Sequence, residues 1–142
     1  MVSSRYIIIV GCGRLGSILA NRLSALGHSV VVIDRQEAAF HNLSTEFSGF
    51  RITGDAVELS VLRSAKAGKA DCLLVSTEED NVNLMIAQVA GTVFDIPTVV
   101  ARVYDPSREA IFQEFGIKTI CPTKLSAEAF LQSMSNEPAG AR

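Results

Sequence analysis

The segment Ile7–Leu23, "IIIVGCGRLGSILANRL", decides how the rest of the chain is read. An apolar, β-branched run ends at Gly11, and Gly11, Gly13 and Gly16 follow in the spacing G-x-G-x-x-G. Leu15, Ile18, Leu19, Leu23 and Leu26 then recur at helical spacing. A strand, a glycine loop and an amphipathic helix in that order predict the phosphate-holding turn of a dinucleotide fold. Gly11 serves the tight turn, Gly13 admits a diphosphate close to the backbone, and Gly16 lets helix pack on strand. Free amides at the helix start then face the anion, aided by the helix dipole. The expected contact segment is Gly11, Cys12, Gly13, Arg14, Leu15 and Gly16. At the first helical turn Arg14 opposes the dipole unless an anion is present, so it is read as a phosphate contact.

Outward from this segment, short apolar runs alternate with helical patterns. The predicted strands are Tyr6–Val10, Ser29–Ile33, Arg51–Thr53, Cys72–Val75, Thr98–Arg102 and Thr119–Cys121. Most are continuous apolar runs, as parallel strands covered on both faces require. The first helix stops at Gly27 and His28, and later helices are predicted near Glu37–Phe47, Val57–Lys66, Asp80–Phe94, Ser107–Phe115 and Lys124–Met134. Pro97, Pro106 and Pro122 fall at element boundaries, where a missing amide does least harm. The alternation predicts an α/β, Rossmann-like, doubly wound parallel sheet of six strands in the order 3-2-1-4-5-6. Residues 1–135 form the expected nucleotide-binding domain, and 136–142, within "SNEPAGAR", a tail or linker stub.

A ligand over the carboxyl end of the first strand would meet particular side chains. Asp34 closes "VVVID", 18 residues beyond Gly16. A carboxylate there accepts hydrogen bonds from ribose hydroxyls and repels a 2′-phosphate, while Arg35 beside it weakens that discrimination. Asp34 could instead serve as a turn or capping residue. Asp55, in "TGDA", either accepts from an adenine amino group or caps the helix near Val57. Ser76 and Thr77 end the fourth strand on the phosphate side, and Asp80 or Asn81 is expected to cap the next helix. Arg102 ends the fifth strand, placed either for phosphate or for an ion pair with an acid such as Asp105.

Composition narrows the class. The 142 residues carry a net charge of −2 with no basic run, which gives no electrostatic reason to expect nucleic acid. No apolar stretch has the length of a membrane span, and the start lacks the pattern of a signal peptide. The three cysteines, Cys12, Cys72 and Cys121, form no metal-binding spacing and read as small buried apolar residues of a reducing cytoplasm. Hydride transfer usually needs an acid or base near the transferred hydrogen. The two histidines, His28 and His41, lie away from the strand carboxyl ends, and no Tyr-x-x-x-Lys pair occurs.

Together the stretches "VGCGRLGSILANRLSALGHSVVVID", "TGDAVELSVLRSAKAGKADCLLVSTEEDNVN", "IPTVVARVYDP" and "FGIKTICP" resemble the N-terminal domain of the TrkA- and KtrA-type potassium-uptake regulators, the RCK or TrkA-N family. The resemblance covers Tyr6 to about Met134 and includes the Asn83 context. It implies a cytoplasmic subunit, peripheral to the membrane through its partner, that binds NAD(H), ATP or ADP and adjusts a potassium channel or transporter. By position, Gly11, Gly13, Arg14 and Gly16 would hold phosphates and Asp34 the ribose. Asp55 and Ala56 would border the adenine, Thr77 the phosphates, and Arg102 would face the terminal phosphates of ATP. It also implies a homodimer or larger ring. Where the family often has Pro-Glu, with an acid able to help hold a cation, this chain has Pro122-Thr123, so no metal ligand is assigned. The alternative function is a small NAD-dependent oxidoreductase or its cofactor-binding subunit.

Overall fold

The computed structural model describes residues 3–135, so the expected tail at 136–142 lies outside the described residues. Six strands form one sheet in the order β3-β2-β1-β4-β5-β6. They are β1 (Tyr6–Val10), β2 (Ser29–Asp34), β3 (Phe50–Thr53), β4 (Cys72–Val75), β5 (Thr98–Arg102) and β6 (Lys118–Ile120), and every pairing is parallel. The predicted fold class and strand order are those observed. The helices are α1 (Arg14–Ala25), α2 (Leu59–Ser64), α3 (Asp80–Thr92), α4 (Glu109–Glu114) and α5 (Pro122–Ser135).

Parallel strands need crossovers, and these leave both sheet faces covered. Alternate residues of β1 therefore feed two cores. Ile7 and Ile9 pack with Ala20 of α1 and with Phe40, Leu43 and Phe47. Ile8 and Val10 pack with Leu62 of α2, Ile86, Ala87 and Ala90 of α3, and Phe112 of α4. Each fully buried Ile or Leu contributes about 2 kcal/mol relative to an exposed one. The three cysteines are all buried and free.

The predicted helix Glu37–Phe47 is corrected to a 3-10 helix over Glu37–Asn42 followed by irregular chain. Phe40, Leu43 and Phe47 do reach the core, at a spacing that a helix shares. Side chains capture the amides that would continue it: Ser44 N–H donates to Asn21 Oδ1 at 3.0 Å, and Glu46 N–H to Ser44 Oγ at 3.1 Å. The helix predicted over Val57–Lys66 is shorter, and Lys66 beyond it takes a left-handed φ of 57°. Residues 106–115 divide into a 3-10 turn at Pro106–Arg108 and α4. α5 buries none of its residues within this chain.

Candidate functional site

The carboxyl ends of β1, β2, β4 and β5 meet around the glycine loop. The ladder continues past the strands, with Gly11 N–H donating to Ile33 O at 2.8 Å and Ser76 N–H to Val10 O at 2.9 Å. Gly11 has φ +100°, and its backbone passes close to Ser76 and Thr77. A Cβ on Gly16 would sit 1.7 Å from Gly11 O, so the crossing of α1 over the loop admits only glycine there. Gly13 is different. A Cβ on it would meet nothing within 4 Å, so the space over the loop is open. No side chain caps α1 and no acid sits in its first turn. Its amide end is thus free for an anion, and Arg14 opens the helix on the exposed side.

Asp34 is fastened to this loop. Its Oδ2 accepts from Cys12 N–H at 2.8 Å, and its Oδ1 accepts from Gln36 N–H at 2.8 Å. The turn role leaves room for a ribose hydroxyl, because each carboxylate oxygen keeps a second lone pair. Cys12 gives its amide to Asp34 and buries its sulfur in the core, so its side chain faces away from the open loop. Burial, with the Asp34 carboxylate adding to it, pushes the Cys12 thiol up to about 11. The thiolate is the reactive form. Iodoacetamide at pH 8 should leave native Cys12 unlabelled and label it after denaturation, as read by mass spectrometry. Native labelling at the rate of a free thiol would contradict this burial.

Asp55 caps the turn after β3, accepting from Val57 N–H at 3.1 Å, while its other oxygen lies 4.0 Å from Arg35 Nε. Ala56 is buried and Leu15 half-buried beside the loop. Ser76 is buried, and its Oγ has no partner, lying 3.3 Å from where a Gly16 Cβ would be.

Arg102 does not take the expected ion pair with Asp105. Its Nη2 donates to Ser76 O at 2.6 Å and Thr77 O at 3.2 Å, and its guanidinium stacks 4.6 Å from the Tyr104 ring centroid. Two strand-end carbonyls point at this place, and a fork of donors suits them better than an exposed carboxylate does. Asp105 pairs instead with Arg108, at 3.8 Å. The expected caps of α3 are also corrected. Asp80 accepts from the Tyr104 and Asp105 amides at 2.7 and 3.1 Å, and Asn81 accepts from Arg108 Nη1 at 2.6 Å. The segment after β5 lies across the start of α3 and claims both side chains.

Asn83 joins these parts. It is fully buried on α3. Its Oδ1 accepts from the Thr77 amide and hydroxyl, and its Nδ2 donates to Thr77 O at 3.0 Å and Arg102 O at 2.9 Å. One carboxamide thereby clamps the ends of β4 and β5 together. The sequence offered a signal for it: an amide on the buried stripe shared with Ile86, Ala87 and Ala90.

Acid–base chemistry finds little support here. His28 lies at the amino-terminal edge of the sheet, its Nδ1 accepting from Arg5 N–H, and exposed His41 lies on the 3-10 helix. Among the described residues no cluster of His, Cys, Asp or Glu could hold a metal, and no helix is long and apolar enough to cross a membrane. A groove of about 720 Å³, lined by Tyr6, Val30, Phe50 and Ile52 among others, opens at the amino-terminal edge and shares no residue with the glycine loop. Ligands of open α/β sheets bind at the carboxyl edge, which makes the loop the candidate site rather than the groove.

The profile of the TrkA-N domain matches residues 7–122. The chain belongs to the TrkA-N domain family. It is 38% identical over 136 residues to the Trk system potassium uptake protein TrkA of Streptomyces coelicolor, covering 96% of this chain and 60% of that protein. It is 30% identical over 133 residues to a TrkA homolog of Methanothermobacter thermautotrophicus, covering 94% of this chain and 61% of that one. The chain thus spans about 60% of the length of these two curated relatives. The TrkA-N domain of the Escherichia coli inner membrane protein ybaL superimposes with a TM-score of 0.81 at 21% identity, over 93% of this chain and 98% of that one. The TrkA-N fold thus extends over nearly all the described residues.

Proposed function

We propose that this TrkA-N domain is a regulatory nucleotide module of a potassium-transport system, cytoplasmic and joined to a membrane transport subunit as part of a homodimer or larger ring. The ligand is NAD(H) or an adenine nucleotide such as ATP or ADP. One observation carries the reading: α1 presents an uncapped amide end above a glycine loop to which the Asp34 carboxylate is hydrogen-bonded. Phosphates would lie over Gly11, Gly13, Arg14 and Gly16, bordered by Ser76 and Thr77. Asp34 would take the ribose, and Asp55 and Ala56 would border the adenine. Arg102 would offer a terminal phosphate the guanidinium donors that Ser76 O and Thr77 O leave free, Nε among them.

The relatives named for potassium uptake support this reading. So do the solved structures of similar fold, a Kef C-terminal domain described with AMP and GsuK described with NAD and with ADP. The positions of His28 and His41 favour it over the oxidoreductase alternative. A regulator works through differential affinity, because a ligand that binds two states equally shifts neither.

Thermal denaturation with ATP, ADP, AMP, NAD⁺ and NADH tests the proposal. A true ligand at about 100 times its Kd should add about 2.7 kcal/mol of stability, and no shift with any of them would sink it. Asp34→Asn loses the charge and one of the two oxygens, turning an –NH2 toward either the Cys12 or the Gln36 amide. It should weaken every ribose ligand about ten-fold, the scale of one hydrogen bond to a charged group. Unchanged affinity removes Asp34 from the site.

A further inference from the structure

We propose that Asp55 sets nucleotide specificity, keeping Arg35 from serving a 2′-phosphate so that the site takes adenine nucleotides with a free 2′-hydroxyl. This rests on the nucleotide reading above and extends it to the class of ligand refused.

Asp34 pairs in register with Thr53, so the two acids, one ending β2 and the other just past β3, share a carboxyl edge. Arg35 follows Asp34 in the chain and turns its guanidinium toward Asp55. It is the cation that a 2′-phosphate would need, since Arg pairs with phosphate through its fork of donors. Its Nε instead faces Asp55 Oδ2 at 4.0 Å, on a side chain that is 73% exposed. Asp34 is held in place by the Cys12 and Gln36 amides and cannot turn aside. Two carboxylates against the one guanidinium at Asp55 leave this group of three side chains with a net negative charge. A 2′-phosphate, bearing a charge of about −1.5 to −2, meets that field.

The two oxygens of Asp55 do separate work. Oδ1 accepts from Val57 N–H at 3.1 Å, and Oδ2 faces Arg35. Asp55→Asn therefore removes the charge and keeps an oxygen for the turn. A unit charge at about 4 Å in water shifts an equilibrium about five-fold, and salt screens much of that effect.

The test compares ligands that differ only in the 2′-phosphate: NADH against NADPH, and AMP against adenosine 2′,5′-bisphosphate, titrated at low salt. The quantity read is the ratio of the two Kd values, which cancels any change in adenine contact common to both ligands. The native chain should prefer the unphosphorylated member. Asp55→Asn should lower the ratio about five-fold, and adding Arg35→Ala should restore it. Asp55→Ser, which also offers an oxygen to Val57 N–H, guards against a folding artefact of the first variant. A ratio unmoved by Asp55→Asn overturns the inference, as does an equal drop in the double variant or equal affinities in the native chain. If NADH or AMP binds and the ratio stays put, only this inference falls. If none of the four binds, this inference falls, and the nucleotide reading falls with it when ATP and ADP also fail to bind.

Discussion

Gly16→Ala should abolish the native fold or cost it about 4 kcal/mol or more, the range kept for gross clashes in a packed site. The reason is local and severe. The added methyl would lie 1.7 Å from Gly11 O and 2.8 Å from its carbonyl carbon, both backbone atoms. Neither can rotate away as a side chain would, so α1 must lift from β1. That uncovers Ala20, Ile7 and Ile9, which pack together on that face. Gly13→Ala, three residues earlier, should melt like the native chain, since its Cβ meets nothing within 4 Å and its φ of −81° suits any residue. It should nevertheless lose the nucleotide-induced thermal shift, because the methyl fills the approach to the loop. Urea unfolding of both variants, with and without nucleotide, checks the pair. A Gly16→Ala chain within about 1 kcal/mol of native, the effect of an ordinary substitution, would show that the loop and helix do not cross as described.

Asn83→Ala is the second large effect, at about 3 kcal/mol from stranding two or more buried groups. The Thr77 amide and the Arg102 carbonyl lose the carboxamide at once, and the Thr77 carbonyl keeps only Arg102 Nη2. The site is buried, so water cannot easily replace the carboxamide. Asn83→Asp should be at least as damaging, because an acid would turn a second oxygen toward two carbonyls that need a donor. A fall in the urea midpoint with an unchanged m-value is the expected signature. A midpoint within error of native would remove Asn83 from the role of clamp. Nucleotide affinity should fall with stability in these variants, since Thr77 and Arg102 border the loop that the clamp supports.

Much of the fold could be read from the chain because its signals are local. The run Tyr6–Val10 is apolar at every position, which already says that both faces are covered, and the glycine spacing dates the turn to the residue. Asp34 was legible because parallel register puts the end of β2 beside the end of β1. Failures came where tertiary contacts overrode a local pattern. Phe40, Leu43 and Phe47 have helical spacing, yet Asn21 and Ser44 take the amides that a helix would need. The Asp105 alternative for Arg102 failed as well, because nothing in "VVARVYD" reveals that two carbonyls at the end of another strand await one of its nitrogens. Asp80 and Asn81 look like caps until the segment after β5 folds over them. Asn83 stood out only through the resemblance, although its place on an apolar helical stripe was visible.

The contact between Gly16 and the Gly11 carbonyl also bears on how a ligand is told from its rivals. The loop takes its shape when the chain folds, so binding orders no backbone there and the entropic penalty of association is correspondingly smaller. On the proposed reading, amides at the start of α1 would serve the phosphates of ATP, ADP and NADH alike and would carry no information about which of them is present. That information would reside in the side chains around the rim, where Arg14 and Arg35 are exposed and Arg102 is seated through one nitrogen on two carbonyls.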